Sequence, residues 1–200
     1  MIRRFLLFLC LAIPAWSSAQ KFAFEFWHEG KIVLESGDTL KGLVKYSMQE
    51  DLVQFQTPRT VETYTSRKVL FFEIFDGTIK RYRQFYSLPY AVTGQYRAPV
   101  FFELLEEGKM TFLAREALET RTYSSFYYYG TNTRLVLVNK YFIMKENGTI
   151  VPFTGKKNDL IELMGTKGDE VAKFAKKNRL DFDKKYEASQ MVAYYNSLFK

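Results

Sequence analysis

Residues 69–86 read VLFFEIFDGTIKRYRQFY. An apolar run over 69–75 stops at Asp76-Gly77, a dipeptide suited to a tight hairpin turn, and residues 79–86 return as a second run. Alternation on the return places Arg81 and Arg83 on one face and Tyr82 with Tyr86 on the other, the two-residue period of a strand. The stretch therefore predicts an antiparallel hairpin.

The same pattern recurs in both directions along the chain. Upstream, residues 31–35 and a run containing Leu40, Val44 and Tyr46, alternating with Lys41 and Lys45, flank the turn Ser36-Gly37-Asp38, and residues 51–56 continue it until Pro58. Residues 88–99 hold two prolines and a glycine without a clean period and read as a loop. Downstream, residues 100–105 and 110–120 flank Glu107-Gly108. Both runs carry apolar residues on both faces, as strands covered on both sides do. Residues 134–145 and 149–153 flank Asn147-Gly148, the strongest hairpin turn in the chain, which also accounts for the sequon Asn147-Gly148-Thr149. Four hairpins at fairly even spacing predict an antiparallel meander, barrel-like or folded as a sandwich.

The character changes at Asn158, which is placed to cap a short helix running through Met164 and ended by Gly165. Gly168-Asp169 opens a second helix with Val171, Phe174 and Ala175 on one face. A third begins around Asp183, and its Ala188, Met191, Val192, Tyr195, Leu198 and Phe199 recur at three-and-four spacing. The expected class is α+β, mainly β, a hairpin meander followed by a short C-terminal segment of two to three helices. The divisions are a leader over 1–19, a β domain over 20–157 and a helical segment over 158–200 packed on the same domain.

The leader has three parts: Arg3 and Arg4, an apolar stretch over 5–13, and a small-residue exit at Ser17-Ser18-Ala19. This predicts a secretory signal peptide cleaved after Ala19. A bilayer span needs roughly 20 apolar residues, and this run breaks at Pro14. Lipoprotein processing at Cys10 is disfavoured because Cys10 lies inside the apolar run behind Leu9. Cleavage removes the one cysteine, and with it any disulfide or thiolate metal site, a composition that fits a bacterial periplasm better than a disulfide-rich secretory route. It leaves 27 basic residues against 22 acidic ones, a net charge of +5 that favours anionic neighbours. Export argues against nucleic acid as the partner.

The inventory for catalysis is thin. A single histidine, His28, lies near the start of the first strand and reads as structural or exposed. With no second imidazole or thiolate the sequence predicts no metal site, and with no phosphate-cradling glycine loop it predicts no cofactor. Carboxylates remain. Glu106 and Glu107 beside Gly108 read as solvated turn charges, whereas Glu103, set between Phe101-Phe102 and Leu104-Leu105, reads as a buried acid in need of a cation. Arg81, Arg83 and Arg115 are the candidate partners, and a structural ion pair is favoured over a catalytic one.

The most distinctive surface candidate is the basic and aromatic set Arg81, Tyr82, Arg83, Tyr86, Tyr96 and Arg97. Arginine forks suit carboxylate or phosphate, and phenol faces suit sugar rings or lipid tails. The competing reading is an edge strand protected by charge. Tyr123 with Phe126-Tyr127-Tyr128-Tyr129 fits either ring stacking or half-buried packing. The terminal helix fits docking over an open sheet end better than lying on a membrane, and its presence argues against an outer-membrane barrel.

Three segments together resemble a family of uncharacterised exported proteins common in Bacteroidota: residues 30–42 (GKIVLESGDTLKG), residues 97–103 (RAPVFFE) and residues 192–198 (VAYYNSL). The resemblance implies a periplasmic or envelope location and carries over no activity. The expectation is a non-enzymatic envelope protein that recognises an anionic component, whether protein, lipid headgroup or acidic glycan, through the basic-aromatic edge. The alternatives are a small lipid or glycan carrier with a pocket inside the barrel, and a carboxylate-based glycan hydrolase centred on Glu103.

Overall fold

A computed structural model of the chain describes residues 22–94, 96–124 and 131–199. Residues 1–19, where a leader is expected, and the aromatic residues 126–129 lie outside the described residues.

Ten strands form one antiparallel sheet: β1 His28–Leu34, β2 Thr39–Ser47, β3 Leu52–Gln56, β4 Val61–Thr65, β5 Val69–Asp76, β6 Arg81–Thr93, β7 Tyr96–Glu106, β8 Met110–Ser124, β9 Thr131–Lys145 and β10 Ile150–Phe153. Three helices follow, α1 Lys157–Met164, α2 Gly168–Asn178 and α3 Lys185–Ser197. The protein is thus mainly β with a helical C-terminus, and all four hairpin turns fall where the sequence places them. Asn158 does not cap α1. The capping position is Lys156, which makes no side-chain cap bond, and Asn158 sits within the first turn.

Strand order is β10-β9-β8-β7-β6-β5-β1-β2-β3-β4. Four ladder spacings therefore separate β4 from β5, about 19 Å in a flat sheet. Yet only residues 66–68 join them, closed by the Lys68 N–H bond to the Thr65 carbonyl. Four steps of chain reach at most about 14 Å, so the sheet must curl there. The concave side of the curl is filled. Phe72 and Phe85 stack at 4.5 Å, Phe101 meets Phe72 edge-on at 5.1 Å, and Ile32, Val44 and Val53 complete the layer.

The curl stops short of a closed barrel, and side chains from turns supply the missing bonds. β8 pairs with β7 only as far as Glu103 opposite Ala114. Beyond that point the free edge of β7 is bonded by the turns that close over it. The Phe101 N–H donates to Asp51 at 2.8 Å, the Phe101 carbonyl accepts from Arg115 at 2.5 Å, and the Pro99 carbonyl accepts from the Ser66 hydroxyl at 2.7 Å. Arg115 also bonds Asp51 at 2.8 Å and the Met48 carbonyl at 2.5 Å. Backbone groups that would otherwise be orphaned in a dry seam are satisfied in this way.

Residues 88–93 and 96–99 are strand, not loop. Pro89 lies directly opposite Pro99 in the β6–β7 ladder. At that point β5 has not yet begun and β8 has already diverged, so neither proline nitrogen faces a ladder partner and neither residue breaks a bond. β6 itself lies between β5 and β7, which rules out the edge-strand reading. β4, past Pro58, is an additional strand that the sequence reading omits.

The helices cover one face of the second half of the sheet. Leu160, Met164, Val171, Ala175, Ala188, Met191, Val192 and Tyr195 pack on Phe112, Tyr141, Ile143 and Phe153. The opposite face buries Val100, Phe102, Leu113 and Phe142. β7 and β8 are therefore apolar on both faces because both faces are covered. Asn196 of α3 fixes the docking by accepting from the Met110 N–H and donating to the Met110 carbonyl, each at 2.9 Å. Phe199 falls past the end of α3 and stays exposed, in contact with Tyr195.

Candidate functional site

The chain's charged residues form two very different assemblies. The first lies inside the protein. Arg83 is on the concave face of β6, between Ile74 opposite it and Phe85 two residues on, and is only 5% exposed. The placement corrects the expectation of a surface arginine: with β6 central and the sheet curled, the face shared by Arg83 and Phe85 points into the core.

Arg83 gathers partners from four other strands. Its Nε and Nη2 grip both oxygens of Glu103 at 2.9 and 2.7 Å, Nη2 also meets Glu116 at 2.5 Å, and Nη1 reaches Asp76 at 3.1 Å and the Tyr46 hydroxyl at 2.9 Å. Tyr46 in turn donates to Glu116 at 2.9 Å, and Lys185, the first residue of α3, donates to Glu103 at 2.6 Å. No buried side-chain polar atom among the described residues lacks a partner. Such saturation is the condition under which a buried charge cluster is tolerated.

The electrostatics follow from this geometry. Burial pushes the Glu103 carboxyl up, but Arg83 and then Lys185 outweigh it and hold the group below its ordinary value. Asp76 is likewise held low, burial being overcome by bonds from Thr78 and Arg83. Burial pulls the Lys185 ammonium below its ordinary value despite Glu103. Burial raises the Tyr46 phenol, with Arg83 opposing. An acid locked as a carboxylate by a two-pronged arginine, 2% exposed, lacks both the raised pKa and the access to substrate that a general acid needs. The sequence reading of Glu103 as a buried acid with an arginine partner holds, and Arg83 is that partner. Of the other two candidates, Arg115 instead ties down Asp51, and Arg81 lies over the Tyr186 ring at 4.9 Å.

The second assembly is on the surface. The six residues grouped by the sequence do not form one patch. Arg81 and Tyr82 sit at one end of β6, while Tyr96 and Arg97 pair near its other end, opposite Tyr90 to Thr93. Nine residues of strand separate Arg81 from Tyr90, about 30 Å. Tyr86 lies between, stacked on Phe71 at 5.3 Å, and Tyr82, 71% exposed, meets Phe75 edge-on at 5.2 Å. With strand rather than loop over 88–93 and 96–99, the hairpin is long and its length splits the set.

At the far end, the curl brings in residues that the sequence reading did not single out. Arg67, in the β4–β5 turn, donates to the Tyr96 hydroxyl at 3.2 Å. Tyr96 is 70% exposed, and Arg97 and Lys68 beside these two are also exposed. Arg67 thus holds the open phenol, with Lys68 and Arg97 as exposed neighbours along the chain, and the Ser66 bond to Pro99 locks the β4–β5 turn to β7. Only the β4–β5 connection, invisible in local periodicity, joins them.

The remaining candidates are structural. His28 is buried at the start of β1 and its ring bonds the Ala23 carbonyl at 2.7 Å. Glu107 is exposed in the β7–β8 turn, and its carbonyl accepts from Asn196 at 3.4 Å. Tyr123 is half-exposed near the end of β8. The concave interior that a carrier would need is occupied by Tyr46, Phe72, Phe85, Phe101 and the Arg83 cluster. Among the described residues no group of His, Cys, Asp or Glu is placed to hold a metal ion, and no helix is long and apolar enough to cross a membrane. No protein-family model, curated protein or solved structure matches this chain.

Proposed function

We propose that this is a non-enzymatic binding protein of the bacterial envelope that captures an anionic partner through the cluster of Arg67, Lys68, Tyr96 and Arg97. The observation that carries the reading is the exposed Tyr96 ring, held by Arg67, with Arg97 and Lys68 exposed next to these two in sequence. Guanidinium forks bind carboxylates in a defined geometry, and an open phenol adds a flat apolar surface and a polar tip. The net positive charge of the domain adds long-range attraction for such a partner. The export leader supports an envelope setting.

Fluorescein-labelled poly-L-glutamate tests the reading by fluorescence anisotropy. Wild type is expected to bind in a salt-sensitive manner, and the pair Arg67→Glu and Arg97→Glu to weaken binding by at least about tenfold, a loss of about 1.4 kcal/mol. Lys176→Glu with Lys177→Glu, an equal charge change on exposed α2, serves as the control. Equal losses in the control and the cluster variant would reduce the effect to net charge and overturn the proposal.

A further inference from the structure

β4 is one end of the sheet, and its outer edge is open. In the β3–β4 hairpin the Ser66 N–H bonds the Asp51 carbonyl, and the Thr57 N–H bonds the Thr60 carbonyl. Residues 60, 62, 64 and 66 therefore point their backbone groups at β3, and the alternation of an antiparallel ladder turns those of Val61, Thr63 and Thr65 outward. The Thr65 carbonyl takes the turn bond from Lys68. Among the described residues nothing bonds the N–H or C=O groups of Val61 and Thr63, a row of donors and acceptors that is a template for one more strand.

The sequence of this edge does not discourage pairing. Val61, Thr63 and Thr65 are β-branched and exposed, with no proline and no lysine between Val61 and Thr65. Glu62, the one charge, is bonded by the Tyr64 hydroxyl on the other face, which raises that phenol to about 12. The opposite edge, β10, carries Pro152, which blunts it as natural edges commonly are.

Charge selects the occupant. Arg59 stands just before β4, and Arg67 and Lys68 just after it, all exposed. A second copy pairing antiparallel about Thr63 would set Arg59 directly opposite the other copy's Arg67, and like charges facing across a ladder are destabilising. An acidic extended segment meets cations at both ends of the same strand.

We propose that the outer edge of β4 binds an extended acidic segment of a partner protein by strand addition at Val61 and Thr63. The proposal deepens the reading of the Arg67–Tyr96–Arg97 cluster and rests on it. Backbone pairing gives affinity, and the flanking cations give the preference for acidic sequence.

Two labelled peptides of equal charge test it, one of four Glu-Val repeats and one of the same sequence N-methylated at every peptide nitrogen, the second unable to donate along a strand. The unmethylated peptide is expected to bind at least about tenfold more tightly, the equivalent of one or two net hydrogen bonds. It should also slow hydrogen exchange at the Val61 and Thr63 amides. Thr63→Pro, which removes an outward N–H without touching the β3 ladder, should erase the difference. Because that variant can alter the hairpin, amide exchange in the wild type is the second readout. Equal binding of both peptides, lost in Arg67→Glu/Arg97→Glu, would overturn strand addition and leave the cluster reading standing. Failure of both peptides to bind would overturn both. Protection of Val61 and Thr63 that grows with protein concentration alone would assign the edge to a second copy and overturn this inference.

Discussion

Replacing Arg83 by Met removes five hydrogen bonds at once and leaves Asp76, Glu103 and Glu116 inside the protein. Each acid keeps one consolation: Thr78 for Asp76, Lys185 for Glu103 and the Tyr46 hydroxyl for Glu116. Breaking a buried pair from one side costs about 3–5 kcal/mol, and the retained partners argue against a larger figure. With a urea slope of about 2 kcal/mol per M for a domain of this size, the midpoint at pH 7 should fall by about 1.5–2.5 M. Sign matters as much as size. In the wild type, Glu103 and Asp76 are held low, so their contribution is fully present above the unfolded carboxyl values of about 4 and is lost only as pH falls through the folded values beneath them. Wild-type stability should hardly change between pH 7 and pH 5. In Arg83→Met, burial dominates and lifts the stranded acids, so protonation relieves the fold and stability should rise as pH falls from 7 to 5. Urea unfolding followed by Trp27 fluorescence and circular dichroism at both values reads the crossing slopes. A midpoint shift equivalent to less than about 1 kcal/mol, or a penalty equal at both pH values, would refute the assignment of Arg83 as the counter-charge of the core.

Lys185→Met should cost far less than Arg83→Met, within about 1–2 kcal/mol, because Glu103 keeps its arginine and because a cation at the first position of α3 faces the positive end of the helix dipole. A thermal or urea midpoint loss matching that of Arg83→Met would contradict this ranking. Asn196→Ala strands the Met110 N–H and carbonyl and should cost about 2–3 kcal/mol, with faster exchange of the Met110 amide as its local signature. Gly30→Ala should be more disruptive than either. A Cβ at that position would lie 2.1 Å from the Glu73 carbonyl oxygen, so β1 and β5 must separate, and loss of cooperative unfolding would show it.

Local periodicity carried most of the secondary structure, since each of the four hairpins has its turn chemistry written in two or three residues and α3 has its apolar stripe at positions 188, 191, 192 and 195. The buried acid was legible too. Glu103 lies within a four-residue apolar neighbourhood, and a carboxylate there requires a cation. What local pattern could not supply was the third dimension of the sheet. The surface set takes in residues from both faces of β6, because nothing in residues 81–86 tells which face the curl encloses. Arg83 and Phe85 share the inner one, so the phenols lie outside. Pro89 and Pro99 read as breakers because their harmlessness depends on both neighbouring strands having diverged, a property of register rather than of composition. The surface cluster was half-seen for the same reason. Tyr96 and Arg97 stand out in the sequence, but Arg67 joins them only through the short β4–β5 turn that the curl makes possible.

The proposed division of labour gives recognition to the surface cluster and core integrity to Arg83. Amide chemical-shift mapping of the ¹⁵N-labelled protein during titration with poly-L-glutamate tests it most directly. The predicted result is a contiguous set of shifts at residues 66–68 and 96–98, extending into Val61 and Thr63, with the amides of Arg81, Tyr82 and Arg83 unmoved. Shifts centred on Arg81 and Tyr82, or none at Arg67, Tyr96 and Arg97, would contradict it.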